Sequence, residues 1–153
     1  ASEKAFLGRA EGLFRISEDM YAGIGGNVFR KALHLDASIT LYGGFGSFSI
    51  GDFTLLGEAD MIRTRNTAGT VVSGVVVYGE VNYVVTPGVD LKVAYDFYDP
   101  DRDIKSSAAS RYSVGFEFFP ISGVEVRPMY RILVEDPKNV PNNELHILFH
   151  IYL

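Results

Sequence analysis

The chain contains no cysteine and no tryptophan. Without cysteine it forms neither a disulfide framework nor a thiolate metal site. Basic residues are not in excess, because 14 Lys and Arg stand against 19 Asp and Glu, for a net charge of −5. The electrostatic signature of a nucleic-acid-binding protein is therefore missing. Long apolar runs are also absent, and no stretch approaches the roughly 18 residues that a transmembrane helix needs.

What the sequence does have is alternation of apolar and polar residues, which is the pattern of a β-strand with one apolar face. The closing run shows it best, with an apolar parity that consists of Leu145, Ile147, Phe149, Ile151 and Leu153. The pattern predicts a single all-β domain over residues 1–153, with no helix. The nine predicted strands are Phe6–Ile16, Met20–Lys31, Asp36–Ile50, Phe53–Thr64, Thr70–Val85, Val89–Tyr98, Ser110–Phe119, Val124–Glu135 and Asn143–Leu153. In the third strand the predicted apolar parity consists of Ala37, Ile39, Leu41, Gly43 and Phe45.

Charge is confined to one parity of these strands. Of twenty charged residues in the runs, eighteen lie on the polar parity, and only Arg30 and Arg63 lie on the apolar parity, both near strand ends. A charge in the middle of a lipid-facing surface costs about 2–4 kcal/mol, but little near the interface, where a long side chain reaches the headgroups. The apolar parity, including the closing-strand residues named above, is therefore predicted to face lipid.

The connections between strands alternate in length. Four are short turns: Ser17–Asp19, Gly51–Asp52, Thr86–Gly88 and Pro120–Gly123. The four between them are longer and more polar: Ala32–Leu35, Arg65–Gly69, Asp99–Ala109 and Asp136–Asn142. Short turns at one end and longer loops at the other are typical of an up-and-down barrel in an outer membrane.

Several segments then carry a resemblance to a known class. The part from Tyr78 onward, with Tyr95–Asp103, Arg111–Gly115 and the closing strand, is similar to the C-terminal end of porin-like bacterial outer-membrane β-barrels. In that class the last strand is a recognition signal for the insertion machinery and normally ends in an aromatic residue. Here Leu153 stands in that place, with Tyr152 beside it. The resemblance implies an antiparallel transmembrane β-barrel of about eight or nine strands in this chain. It also implies contact with outer-membrane lipid, and with the insertion machinery during biogenesis.

The polar parity then predicts a mixed-charge lumen. In a wide barrel such residues line an aqueous pathway and bias which small solutes diffuse through it. In an eight-stranded barrel they fill the interior, and the protein is a non-conducting scaffold or a sheath around a partner protein. The predicted pore-lining residues are Arg9, Glu11, Arg15, Glu58, Asp60, Glu80, Lys92, Asp96, Arg111, Glu117, Arg127 and Arg131. The other six charges of this parity are Lys31, Asp36, Asp90, Glu125, Glu135 and Glu144.

The number of strands leaves two alternatives open. A complete bacterial barrel has an even number of strands, with both ends in the periplasm. Either the chain is the C-terminal part of a larger barrel, completed by further strands or by a partner chain, or Met20–Leu153 is a complete eight-stranded barrel and Ala1–Asp19 has another role. The regular pattern of Phe6–Ile16 favours the first. A soluble β-sandwich or lipocalin-like barrel is a third interpretation, against which strand length and the alternating connections count.

No residue pattern predicts catalysis, a metal site or a cofactor. Asp99–Asp103 resembles the start of a calcium loop, but the sixth position is Ile104 rather than Gly and the twelfth is Ser110 rather than Glu. His146 and His150, four apart on a strand, are separated by roughly 13 Å and do not share an ion. His34 has no fingerprint that connects it to a Ser and an acid. Pro128 predicts a bulge or distortion, because it removes a ladder N–H.

Overall fold

The computed structural model describes residues 4–33, 37–138 and 140–152. Within these residues it contains nine β-strands and no helix, so no helix here is able to span a membrane. The predicted nine-stranded all-β fold is confirmed, with strand bounds that shift by at most two residues. The strands are β1 (Ala5–Arg15), β2 (Met20–Ala32), β3 (Ser38–Ile50), β4 (Phe53–Arg65), β5 (Val71–Thr86), β6 (Val89–Asp99), β7 (Ala109–Ile121), β8 (Val124–Glu135) and β9 (Glu144–Ile151).

The nine strands form one sheet in sequence order, and every neighbouring pair is antiparallel. Within the described residues β1 and β9 are the two edges, and the sheet is not closed. Three of the four short turns carry a glycine at positive φ: Gly51 at 53°, Gly88 at 80° and Gly123 at 80°. This conformation is disfavoured for residues with a Cβ, and tight hairpin turns require it.

The register defines two faces of the sheet, because cross-strand partners point to the same side. We call one side the charged face; one of its rows of partners is Glu80, Ala94, Ser113, Arg131 and Glu144. We call the other side the apolar face; one of its rows is Val81, Val93, Val114, Tyr130 and Leu145.

Exposure of the two faces is the reverse of what a water-soluble sheet shows. On the apolar face Val93 is 48% exposed and Leu145 is 66% exposed, whereas on the charged face Glu80 is 6% exposed and Ser113 is 5% exposed. A flat single layer would expose both faces alike. We infer that the sheet curves toward the charged face, so that its long side chains converge and cover one another.

The predicted faces of the third strand are wrong. Leu41 pairs with Phe29, and Phe45 pairs with Gly25 and Glu58, which places the predicted apolar set of β3 on the charged face. The apolar face of β3 instead carries Tyr42, Gly44, Gly46 and Phe48. Both parities of β3 contain aromatic and aliphatic residues, and β3 has no charged residue. In the other strands it is the charged residues that distinguish the two faces.

The distortion predicted at Pro128 takes the form of a gap in pairing rather than a bulge, because neither Pro128 nor Arg127 has a ladder partner on β7. The register of β7 against β8 is the same on both sides of this residue, since Gly115 pairs with Met129 and Phe118 pairs with Val126. The register shift occurs further along, between Phe118 and Ile121, next to the turn that joins the two strands. Pro128 itself pairs with Ile147 of β9 in regular register.

Candidate functional site

All twelve residues predicted to line a pathway lie on the charged face. They lie on β1 and on β4 to β8. In one cross-strand row, Glu58, Asp96 and Arg111 from this set align with Tyr78 as successive partners on β4 to β7. Of the six further charges of that parity, five also lie on this face, and Asp36 lies outside the described residues. The closing-strand residues Leu145, Ile147, Phe149 and Ile151 lie exposed on the apolar face, and Leu153 is outside the described residues.

A chain of ion pairs crosses β5 to β8 on the charged face. Lys92 Nζ lies 3.1 Å from Glu80 Oε1 and 3.4 Å from Glu117 Oε2. Arg127 Nη2 lies 2.9 Å from Glu117 Oε1 and 2.7 Å from Glu125 Oε1. We call these five residues the β5–β8 network. Acidic and basic groups alternate along it, so each cation is shared between two carboxylates.

Both ends of the β5–β8 network are anchored by neutral donors. At one end the Tyr78 hydroxyl donates to Glu80 Oε2, and Asn82 Nδ2 donates to Glu80 Oε1 over 2.6 Å. At the other end the Tyr152 hydroxyl donates to Glu125 Oε2 over 2.5 Å, and His150 Nδ1 lies 3.1 Å from the same oxygen. Glu125 is only 2% exposed. Charged acceptors held by several donors in a poorly solvated place are strongly fixed in position.

Two further ion-pair groups lie closer to the loop end of the strands. Arg111 donates two hydrogen bonds to Asp96, of 2.9 and 3.0 Å, in the parallel geometry that suits guanidinium and carboxylate. Glu144 lies 3.2 Å from Arg131 Nη1 and 2.9 Å from His146 Nε2. His146 and His150 thus contact different glutamates. Among the described residues no group of three or more His, Asp or Glu is arranged to hold a metal ion.

The β1–β4 part of the charged face is more open and less fully paired. Arg9 and Glu11 form an exposed ion pair of 3.5 Å, and the Arg9 guanidinium stacks 4.0 Å from the Phe45 ring centroid. Asn27 Nδ2 donates to Glu58 Oε1 over 3.1 Å. Asp60 Oδ1 is buried and makes no hydrogen bond to any described residue. Among the described residues, Glu58 and Asp60 therefore have no basic side chain as an ion-pair partner, unlike most other carboxylates on this face.

Gly25 provides the space in which the Phe45 ring lies. A Cβ at this position would overlap the ring and would come within 2.6 Å of the Ala10 carbonyl oxygen. We expect Gly25→Ala to lower the free energy of unfolding by about 1–2 kcal/mol through overpacking. Gly79→Ala is the matched control, because nothing lies within 4 Å of its Cβ position. Equal midpoints of urea unfolding for the two variants would contradict this assignment.

The acidic loop between β6 and β7 is held by its own hydrogen bonds. Asp99 Oδ1 accepts from the Asp101 N–H over 3.1 Å and from the Ser107 hydroxyl over 2.9 Å, and Asp101 Oδ1 accepts from the Asp103 N–H over 3.1 Å. The loop also packs back on the sheet, since the Arg102 N–H donates to the Ser73 carbonyl over 2.9 Å. Its aspartates therefore build the loop rather than converge on one point.

Some members of the site were not among the predicted residues. Glu125 is on the polar parity but is not among the predicted pore-lining residues, although its three partners, Tyr152, His150 and Arg127, are as many as those of Glu80. Tyr78, Asn82 and Tyr152 were overlooked because neutral side chains on a polar parity carry no signal of their own. Comparisons of the chain with models of protein families, with curated proteins and with solved structures found no significant match.

Proposed function

We propose that the chain forms the wall of a β-barrel in a bacterial outer membrane, with its charged face toward an aqueous lumen through which small solutes diffuse passively. The single observation that carries the proposal is the inverted distribution of polarity. Carboxylates and guanidinium groups are gathered on the charged face, where the β5–β8 network is largely covered, and large apolar side chains are exposed on the other face. A lipid bilayer is the solvent that makes such an exposed apolar face favourable.

The positions of the exceptions support this proposal. On the described strands the apolar face carries only four charged residues, and all lie within three residues of the loop end of a strand: Arg30, Arg63, Arg65 and Asp99. The longer connections are at that same end, which in outer-membrane barrels is the outer side. A soluble sheet has no reason to exclude charge from the centre of an exposed face.

The charged face supplies a fixed field rather than a reactive group. On the described strands it carries seven cations, Arg9, Arg15, Lys31, Lys92, Arg111, Arg127 and Arg131. Its ten carboxylates are Glu11, Glu58, Asp60, Glu80, Asp90, Asp96, Glu117, Glu125, Glu135 and Glu144. The surplus of carboxylates attracts cations into the pathway. Glu58 and Asp60 have no cationic partner among the described residues, so their charges add to this preference without being neutralised.

A non-conducting barrel is the second candidate, and the β5–β8 network favours it. Side chains tied together across four strands occupy space that a solute would need, and the interior of a barrel of about eight strands is just filled by side chains. In that case the same residues hold the wall together, and the protein is a structural barrel or a sheath around a partner protein.

Single-channel recording in a planar lipid bilayer separates the two candidates. For a diffusion channel we expect discrete conductance steps and, in a KCl gradient, a reversal potential that shows a modest preference for K⁺. Glu58→Gln with Asp60→Gln should lower this preference, whereas Lys138→Gln, in the β8–β9 loop, should not. A correctly folded sample that gives no steps would contradict the channel and leave the structural barrel.

A further inference from the structure

Three arginines lie together on the apolar face at the loop end of β2 and β4. Arg30 pairs with Thr40 of β3, and Thr40 pairs with Arg63 of β4, so the two arginines flank one short side chain. Their Cα atoms are two strand spacings, about 10 Å, apart. Arg65 is two residues beyond Arg63 on the same face, about 7 Å along the strand. All three side chains are exposed.

Two adjoining surface cavities connect these arginines. The larger, of about 450 Å³, is lined by Arg30, Arg65, Ser38, Ala32, Leu33 and Ala37. The smaller, of about 230 Å³, is lined by Arg63, Arg65, Ser38, Thr40 and Tyr42, with Val71 at its edge. Arg65 and Ser38 belong to both. Guanidinium groups and hydroxyls therefore surround one continuous depression, which is rich in hydrogen-bond donors.

Few carboxylates of the described residues compete for these arginines. None of Arg30, Arg63 and Arg65 takes part in an ion pair of the described residues. Asp99, the nearest charge of the same face on the strands, accepts hydrogen bonds within its own loop. Arg102 adds a fourth cation to the same side, since its Nη1 lies 4.0 Å from the sulfur of Met61.

We propose that this cluster binds the phosphate of an anionic lipid headgroup in the leaflet at the loop end. The inference rests on the proposed function, because it requires the apolar face to meet lipid. Guanidinium groups donate paired hydrogen bonds to phosphate oxygens, and serine and threonine hydroxyls add neutral donors. Tyr42, next to Thr40 on the membrane side, is 42% exposed and lies where interfacial aromatic residues are found.

The headgroup site explains why arginine is present on a face that is otherwise apolar. An arginine without a partner at this depth has only water and neutral headgroups to solvate it. A bound phosphate compensates its charge, and the acyl chains of the same lipid then cover the apolar residues that lie further along β2 to β4. One lipid is thus held at a fixed position against the wall.

The test compares lipid selectivity in vesicles of phosphatidylcholine that contain the full chain and a trace of spin-labelled lipid. Electron spin resonance measures how strongly labelled phosphatidic acid is preferred over labelled phosphatidylcholine at the protein surface. We expect a clear preference for phosphatidic acid in the unaltered protein. Each single change, Arg30→Gln, Arg63→Gln or Arg65→Gln, should reduce it about fivefold or less, because one basic residue near the surface contributes about that factor. The triple variant should show no preference.

The matched control removes the same charge from other exposed positions at the loop end, with Lys4→Gln, Lys105→Gln and Lys138→Gln. It should retain the preference; an equal loss in both triple variants would show that only net charge matters and would overturn the site. Millimolar inorganic phosphate should not displace the labelled lipid, and displacement would assign the cluster to a free phosphate instead. Flotation of the chain with the vesicles after an alkaline wash is measured first. Failure to insert would overturn the proposed function, whereas insertion without selectivity would overturn this inference alone.

Discussion

Replacing Val93 by lysine is expected to lower the free energy of unfolding in a lipid bilayer by about 2–4 kcal/mol. Val93 lies near the middle of β6 on the apolar face and is 48% exposed. In a membrane the new ammonium group would stand in hydrocarbon, too far from either interface to be solvated. Urea titration of vesicle-reconstituted protein, followed by resistance to protease, measures the change.

Val134→Lys is the control for this prediction. Val134 is on the same face and 43% exposed, but it is the second-last residue of β8, at the loop end. Its cost should be at most about 1 kcal/mol, because charge near the interface is tolerated. A soluble sheet predicts a different result, in which both lysines are water-exposed and neither changes stability by more than about 0.5 kcal/mol. Equal and small effects would therefore contradict the membrane placement.

The second large effect is expected at Glu125. Glu125→Ala removes the acceptor of Tyr152 and His150 and one of the two carboxylates that flank Arg127. Breaking a buried ion pair from one side costs about 3–5 kcal/mol. Among the described residues no second sheet or helix packs over Glu125, so we expect the lower end, about 3 kcal/mol. The same urea titration measures it, and β9 should lose protection from amide hydrogen exchange before the other strands.

Glu11→Ala is the comparison for Glu125, since it also removes one carboxylate from an ion pair on the charged face. The Glu11 side chain is 41% exposed and its pair with Arg9 spans 3.5 Å. An exposed pair contributes about 1 kcal/mol or less. If Glu125→Ala lowered the free energy of unfolding no more than Glu11→Ala does, the contacts of Glu125 would not stabilise the pairing of β8 with β9. The network would then contribute only to the electrostatic potential of the charged face.

The fold was predictable from the sequence wherever charge marked one parity of a strand. In β6, Asp90, Lys92 and Asp96 alternate with Val93 and its apolar neighbours, so both the strand and its faces followed directly. β3 has no such mark. Tyr42 and Phe48 lie on one parity of β3, and Leu41 and Phe45 lie on the other. Only the pairing with β2 and β4 determines which parity lies on the apolar face.

The candidate site was predictable as a face but not as a set of contacts. Parity alone placed Glu80, Lys92 and Arg127 on one side of the sheet. Which carboxylate each cation touches depends on the cross-strand register and on how the strands lean, and neither can be read from a single strand. The anchoring of Glu125 by Tyr152 depends on a further fact, that β9 lies antiparallel beside β8 with the tyrosine just beyond its last residue.

The directions of the two edge strands restrict how the sheet could close into the proposed barrel. In a meander whose neighbours are all antiparallel, β1 and β9 run in the same direction, so joining them directly would create a parallel ladder. Two copies inserted with the same orientation meet the same obstacle, because β9 of one would again run alongside β1 of the other. A fully antiparallel ring requires an odd number of additional strands between the edges. Leu7 and Leu13, which are exposed on the charged face of the edge strand β1, are the side chains beside which such strands would lie.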